Sequence, residues 1–489
     1  MDSENISYVD INGREAGPAS EGEPPASLSA TAADWYLSLC YEDLPEDIVR
    51  ETRRAILNTI AVATAASSLE YGPPVRQTAR ELGGAGRSQL FGYGDVTSKS
   101  AAAFANATLA ASLAYDDSHT ETLIHVYGTV VGAVLALAQE HGATGREAIA
   151  AIAGASELTC RIGVIAPTAF HRRGLHPTGI VGAFGAAYAA ARMLGLDRAR
   201  TVHAVGIAGN LASGINQCWV DGTWSQLVDN GWAAQAGITA ATLAAHGYTG
   251  PAEVLEGPLG LFRSHIQGDG ERFDFDRMLH GLGRHWEMRG IEIKPYPCGH
   301  VSQPFVDCAL ALHRAGLRAA DVERVTCLVA AWMVPVVCEP LARKRRPATP
   351  WHGRVSLPYT VAESLAFGRL DAASYRPGSL ASAELLQLAD RVGYEIDPDA
   401  PAGSAYKGWL RVLTRDGRTL EQIHMGGAGE GRGMSEEAFM RKVEGCLSLG
   451  GLGSRVQAIA DAVERLDQAD SVDELMAACR PSQAQEAGA

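Results

Sequence analysis

No two of the nine cysteines stand at a C-x-x-C spacing, and the set is scattered from residue 40 to residue 479. Zinc and iron–sulfur spacings are therefore absent, and reduced thiols are expected rather than a disulfide framework. No apolar run approaches the roughly 20 residues that span a bilayer. The opening residues are acidic and polar and lack the basic-then-apolar order of a secretory signal. The expected compartment is the cytoplasm. Positive charge is in deficit, with 42 Lys and Arg against 56 Asp and Glu for a net charge of −14. That balance excludes a general nucleic-acid surface, and it sets any local cluster of cations against the global field. Internal repeats are also missing.

What the 489 residues contain is a long helical pattern. Residues 1–28 are rich in Glu, Ser, Gly and Pro and read as a disordered extension. Residues 29–287 carry apolar positions at three- and four-residue spacing, as in 45–67, 101–114, 129–139, 146–161, 180–194 and 231–246. Gly182 and Gly185 predict a close helix approach. Short β-like runs at 289–294, 323–330 and 408–415, the last followed by an Asp416-Gly417 turn, alternate with helical stretches at 303–316, 358–368 and 380–391. This predicts a smaller α+β domain over 288–432. Residues 433–480 return to amphipathic helices that complete the first domain, and 481–489 read as a disordered tail. The fold class expected is mostly α with a smaller α+β domain.

Chemistry concentrates between residues 114 and 128. Asp116, Asp117, Ser118, His119, His125 and Tyr127 lie between two strongly apolar segments. The two carboxylates are candidates for capping the following helix or for pairing with His119 or His125. A second cluster, His171-Arg-Arg-Gly-Leu-His176-Pro-Thr-Gly179, precedes the glycine-spaced helix. Pro177 favours an extended His176, Thr178 is a candidate cap, and Arg172 and Arg173 offer carboxylate forks. Lys294-Pro-Tyr-Pro-Cys298 sits at a strand end near the domain boundary, where two prolines stiffen the turn. The basic run Arg343-Lys-Arg-Arg346 reads as a solvated loop or as one that attracts an anionic substrate.

In order along the chain these segments resemble the MmgE/PrpD family. The resemblance rests on Leu113-Ala-Tyr-Asp-Asp-Ser118, His125-Val-Tyr-Gly128, His176-Pro-Thr-Gly179, Asp221-Gly-Thr-Trp-Ser-Gln226, Gly231-Trp-Ala-Ala234, Lys294 to Cys298 and Val355-Ser-Leu-Pro-Tyr359. It implies a large helical domain built from both chain ends, an α+β lid domain, a cleft between them, a homodimer, and no metal or organic cofactor. Several positions depart from the family pattern. Ala114 replaces a leading Asp, Gln226 a Lys, Asp229 a His, His300 an Arg and Gln303 a His. The lost cations weaken a site built for a tricarboxylate, with Arg172, Arg173 and His300 as candidate compensation.

The resemblance implies managing a proton and negative charge at a carbon beside a carboxylate or carbonyl. The expected catalytic set is His125 and His176 for proton transfer, Lys294 for charge, Tyr359 for a leaving hydroxyl or a carbanion, and Asp117 to orient a histidine. Ser118, Arg172, Arg173, Gln226, His300 and Asp116 are the expected substrate contacts. The leading expectation is a cofactor-independent dehydratase acting on a small carboxylated hydroxy acid. Epimerisation and decarboxylation are the alternatives within the class. A non-catalytic binding relative is the alternative outside it, and a metal hydrolase built on Asp116, Asp117, His119 and His125 lacks the helical His-x-x-x-His spacing.

Overall fold

The computed structural model describes residues 27–267, 272–400, 406–426 and 434–481. The expected extension and tail lie outside these residues, apart from Ser27, Leu28 and Pro481. Ser27 Oγ accepts from Ala30 N and caps the Leu28–Ser38 helix, so residues 27 and 28 belong to a helix rather than to an extension.

The main helices of the first unit are Glu46–Ser67, Lys99–Ala111, Tyr127–His141, Gly145–Gly163, Pro177–Met193 and Val228–Ala245. Their ends follow local chemistry. Thr144 and Glu147 form a capping box, and Gly142 closes the preceding helix at φ 70°. Val228–Ala245 packs across both Pro177–Met193 and Lys99–Ala111. These helices are alanine-rich, and alanine brings helices together at no side-chain entropy cost. A Cβ on Gly185 would lie 1.9 Å from Thr159 Oγ1, so glycine is what lets Pro177–Met193 pack on Gly145–Gly163. Burying a side chain such as Leu109, Ile152 or Phe184 contributes about 1.5–3 kcal/mol.

Residues from the C-terminal part return to this unit. The Glu436–Leu449 helix packs on Glu46–Ser67, and Phe439, Val443 and Leu447 join the first hydrophobic core.

The second core belongs to a four-stranded sheet ordered Val392–Ile396, Val322–Val329, Tyr406–Thr414, Thr419–Gly426. The first pair is parallel and the others are antiparallel, with Gly417 at φ 87° in the connecting turn. Helices Gln303–Arg314 and Leu357–Phe367 pack together beside it, the first of them directly on the sheet.

The run at 289–294 behaves differently from the rest of the α+β region. Strand Ile291–Ile293 pairs antiparallel with Asp117–His119, and Ile291 and Ile293 pack against the first core. Apart from Leu123, the residues of the second core begin at Cys298, ten residues after the expected boundary at 288.

The basic run also departs from expectation. Lys344 is fully buried and donates to the carbonyls of Trp219, Val336 and Val355 at 3.3, 3.0 and 2.7 Å. Burial pushes its ammonium down to about 8. Arg345 donates to Val392 O and Arg346 pairs with Asp390. The segment forms the short helix Leu341–Arg345, in which Lys344 and Arg345 staple neighbouring chain segments while Arg343 and Arg346 stay exposed, and none of the four lines the cavity between the two units.

Candidate active site

A cavity of about 910 Å³ opens between the two units. Its polar floor is set by the Asp117–His119 and Ile291–Ile293 strand pair. Register brings Asp116 beside Lys294, whose backbone N donates to Asp116 O at 3.0 Å. Side chains alternate along a strand, so Asp116 and Ser118 face the cavity while Asp117 and His119 face away. Lys294 Nζ donates to Asp116 Oδ1 at 2.6 Å, and both side chains are buried. Burial alone would raise the Asp116 carboxyl, but the Lys294 ammonium and then His125 hold it below the usual carboxylate range. Lys442 braces this floor from behind, donating to the carbonyls of Tyr115 and Lys294 at 2.7 and 2.9 Å.

Asp117 takes one of the two roles that the sequence left open. Its carboxylate accepts from Val126 N at 2.7 Å and from Tyr127 N at 3.2 Å, at the start of the Tyr127–His141 helix. Burial and the neighbouring Asp116 push its carboxyl up to about 7, against the pull of those two N–H groups. The carboxylate does not orient a histidine. The Asp117 backbone carbonyl does so, accepting from His125 Nδ1 at 2.5 Å. With Nδ1–H spent there, the His125 Nε2 lone pair is left for the cavity. Burial, and next the Lys294 charge, push this imidazole down to about 4, so it is neutral at ordinary pH.

His176 is held from two helices. It is the extended N-cap of Pro177–Met193, with φ −99° and ψ 105°, and Pro177 follows in the first helical position. Its Nδ1 lies 2.8 Å from Oδ2 of Asp229, in the first turn of Val228–Ala245. The carboxylate accepts the Nδ1 proton and leaves Nε2 for chemistry. His176 Nε2 is buried and has no hydrogen-bond partner. The rings of His125 and His176 stand 5.9 Å apart. Thr178 is not a cap; its Oγ1 accepts from His125 N at 3.0 Å and ties the two histidine segments together.

Five more cavity residues carry buried polar atoms without a partner: Ser118 Oγ, His171 Nδ1, Asn216 Oδ1, Asn230 Nδ2 and Trp351 Nε1. A native structure rarely leaves such atoms unsatisfied, and their convergence on one cavity marks a place for a ligand. Backbone strain converges there too. Among the described residues the non-glycine positions with positive φ are Ala114 (47°), Leu123 (61°) and Thr168 (60°), and all three line the cavity.

The other expected contacts divide. Arg172 lines the cavity and donates to Thr168 Oγ1 at 2.9 Å. Gln226 lines it but is committed, accepting from Trp219 Nε1 at 2.7 Å. His300 lines it, and burial pushes its imidazole down to about 3. Arg173 is exposed and does not line the cavity. Gln303 closes the turn before its own helix, donating to the carbonyls of Tyr296 and Cys298. Tyr359 is the clearest correction. It lies in the second core, fully buried, and its hydroxyl donates to Ser374 O at 2.8 Å. No reacting group can reach it.

The sequence reading passed over Trp332 and Trp351 and gave His171, within its second cluster, no role of its own. His171 stacks on Trp219 with centroids 5.8 Å apart, and Asn230, Trp332 and Trp351 complete the lining. Among the described residues no group of three or more His, Cys, Asp or Glu is arranged to hold a metal. Nor is any helix long and apolar enough to cross a membrane.

The chain belongs to the MmgE/PrpD family: the N-terminal domain model matches residues 30–274 and the C-terminal domain model matches residues 296–468. The chain is similar to a cis-aconitate decarboxylase-like protein, oryM, of Aspergillus oryzae, at 24% identity over 94% of this chain and 98% of that protein. It is also similar to cis-aconitate decarboxylase of Aspergillus terreus, at 26% identity over 94% and 97% of the two chains. The human cis-aconitate decarboxylase is 24% identical over 77% of this chain and 78% of its own length.

Proposed function

We propose that this chain is a lyase that releases carbon dioxide from an unsaturated or carbonyl-bearing carboxylic acid and protonates the carbon left behind. The observation that carries the reading is His176. Its Nδ1 is bonded to Asp229, and its unpartnered Nε2 meets the cavity. In the proposed step the bond from carbon to carboxylate breaks, and its electron pair moves into the adjoining π system. The His176 imidazolium then donates its Nε2 proton to carbon, with Asp229 stabilising the charged ring beforehand. The Lys294 ammonium faces the developing negative charge, and Asp116 holds it in place. The product keeps that proton, so one is drawn from solvent in each turnover: the Nε2 lone pair of the neutral His125 takes it up and passes it on to the deprotonated His176 Nε2.

Two points favour decarboxylation over the dehydration expected from sequence. Tyr359, the residue expected to protonate a leaving hydroxyl, is sealed in the second core. The relatives of matching length carry decarboxylase names. The test is product analysis in deuterated water with a panel of unsaturated carboxylic acids. The expected result is carbon dioxide and one solvent deuteron in the product, both lost in His176→Ala. Water release without carbon dioxide would establish a dehydratase, and exchange without net reaction an epimerase. Either result overturns the proposal.

A further inference from the structure

The cavity is large and its charge is nearly spent. Among the described lining residues its cations are Lys294, already paired with Asp116 at 2.6 Å, the His176 imidazolium of the proposed reaction, paired with Asp229 at 2.8 Å, and Arg172. The histidines His125, His171 and His300 are neutral at ordinary pH, pushed down to about 4, 3 and 3, first of all by burial. No more than one net positive charge therefore faces the space. A substrate with three carboxylates would leave at least two of them without a matching cation, and burying an unpaired carboxylate is unfavourable.

The walls are apolar. Trp219, Trp332, Trp351, Val336 and Val337 surround the space above the floor. At the mouth, Ile215, Val220 and Trp332 are 62%, 44% and 37% exposed. Large apolar side chains left open to water around a cavity gain most from an apolar ligand that covers them. A volume of about 910 Å³ also lies near the upper end of the ~300–1,000 Å³ range of sites that enclose drug-sized ligands.

We infer that the substrate is a monocarboxylic acid with a bulky aryl or branched-alkyl body, the carboxylate on the Lys294 and Arg172 side and the body among the tryptophans. This rests on the lyase reading above, but it concerns the walls and not the proton transfer.

The experiment is calorimetric titration of the intact chain with saturated acids that cannot react: phenylacetate, 3-phenylpropanoate and 4-phenylbutanoate, with propane-1,2,3-tricarboxylate as the polyanion. The expected result is a gain of about fourfold in affinity per added methylene, with every aryl acid binding more tightly than the tricarboxylate. Val220→Asp, at an exposed position of the mouth, is expected to flatten the chain-length series without disturbing the fold. A tricarboxylate that binds more tightly than 4-phenylbutanoate, or affinity independent of chain length in the unaltered protein, overturns the inference. The two readings fail separately. Carbon dioxide release with a flat series retains the lyase and removes the bulky acid; a rising series without carbon dioxide release does the reverse.

Discussion

The two sides of the cavity differ in chemistry. The helical side supplies Asp116, Ser118, His125, His171, His176 and Asn230 beside the apolar Ile215, Trp219 and Val220, whereas the α+β side supplies one ionisable group, His300, and from residue 332 onward the described lining is Trp332, Pro335, Val336, Val337, Trp351 and Val355. The polar side is rigid for a stated reason: a strand pair, two helix starts and a buried lysine fix its groups. The apolar side is held by core packing and by the Lys344 staple. Under the proposed function proton transfer falls to the helical side, and recognition of size falls mainly to the segment from residue 332 onward.

The largest expected effect breaks the polar side. His176→Ala lowers turnover by about 10²–10⁴-fold, with circular dichroism unchanged. Asp229→Asn keeps the shape but removes the charge that stabilises the imidazolium. Its expected cost is about 10–10²-fold in kcat, measured by steady-state kinetics with little change in KM.

Lys294→Met sharpens the comparison through pH. His125 is held down to about 4 by burial and then by the Lys294 charge. Replacing the cation removes that repulsion and leaves Asp116 unpaired beside the ring, 3.5 Å from Nδ1. Both changes favour the imidazolium, so the pKa of His125 rises. The acid limb of the residual pH–rate profile is expected to move to higher pH. A limb that stays or moves to lower pH would remove His125 from the proton path.

The smallest effect lies in the second core. Tyr359→Phe is expected to leave kcat within about twofold and to lower stability by about 1 kcal/mol, because the Ser374 carbonyl loses its donor. Chemical denaturation measures the second quantity.

Much of this fold was readable from sequence. Long apolar periodicity located the six main helices of the first unit to within a few residues, and it also located three strands. The two-sided alternation of Asp116 to His119 was not readable. Three strand residues carry no measurable period, and their partner lies more than 170 positions away. Asp117 therefore looked like a participant when its carboxylate is a helix cap. Asp229 looked like a loss, because nothing local announces that its helix points it at His176. Tyr359 came with its motif, yet the motif serves folding. Ser356 Oγ accepts from Tyr359 N at 3.1 Å and donates to the carbonyl of Lys344. The strands Val392–Ile396 and Thr419–Gly426 went unseen because each owes its place to a neighbour in the sheet and not to its own pattern.

The most direct test of the division of labour is a pair of kinetic measurements on one turned-over acid. His176→Gln and Trp332→Ala are compared with the unaltered protein. The account predicts that the first lowers kcat at nearly constant KM, and that the second raises KM at nearly constant kcat. If Trp332→Ala instead lowers kcat as far as His176→Gln does, with KM unmoved, then chemistry and recognition are not divided between the two sides.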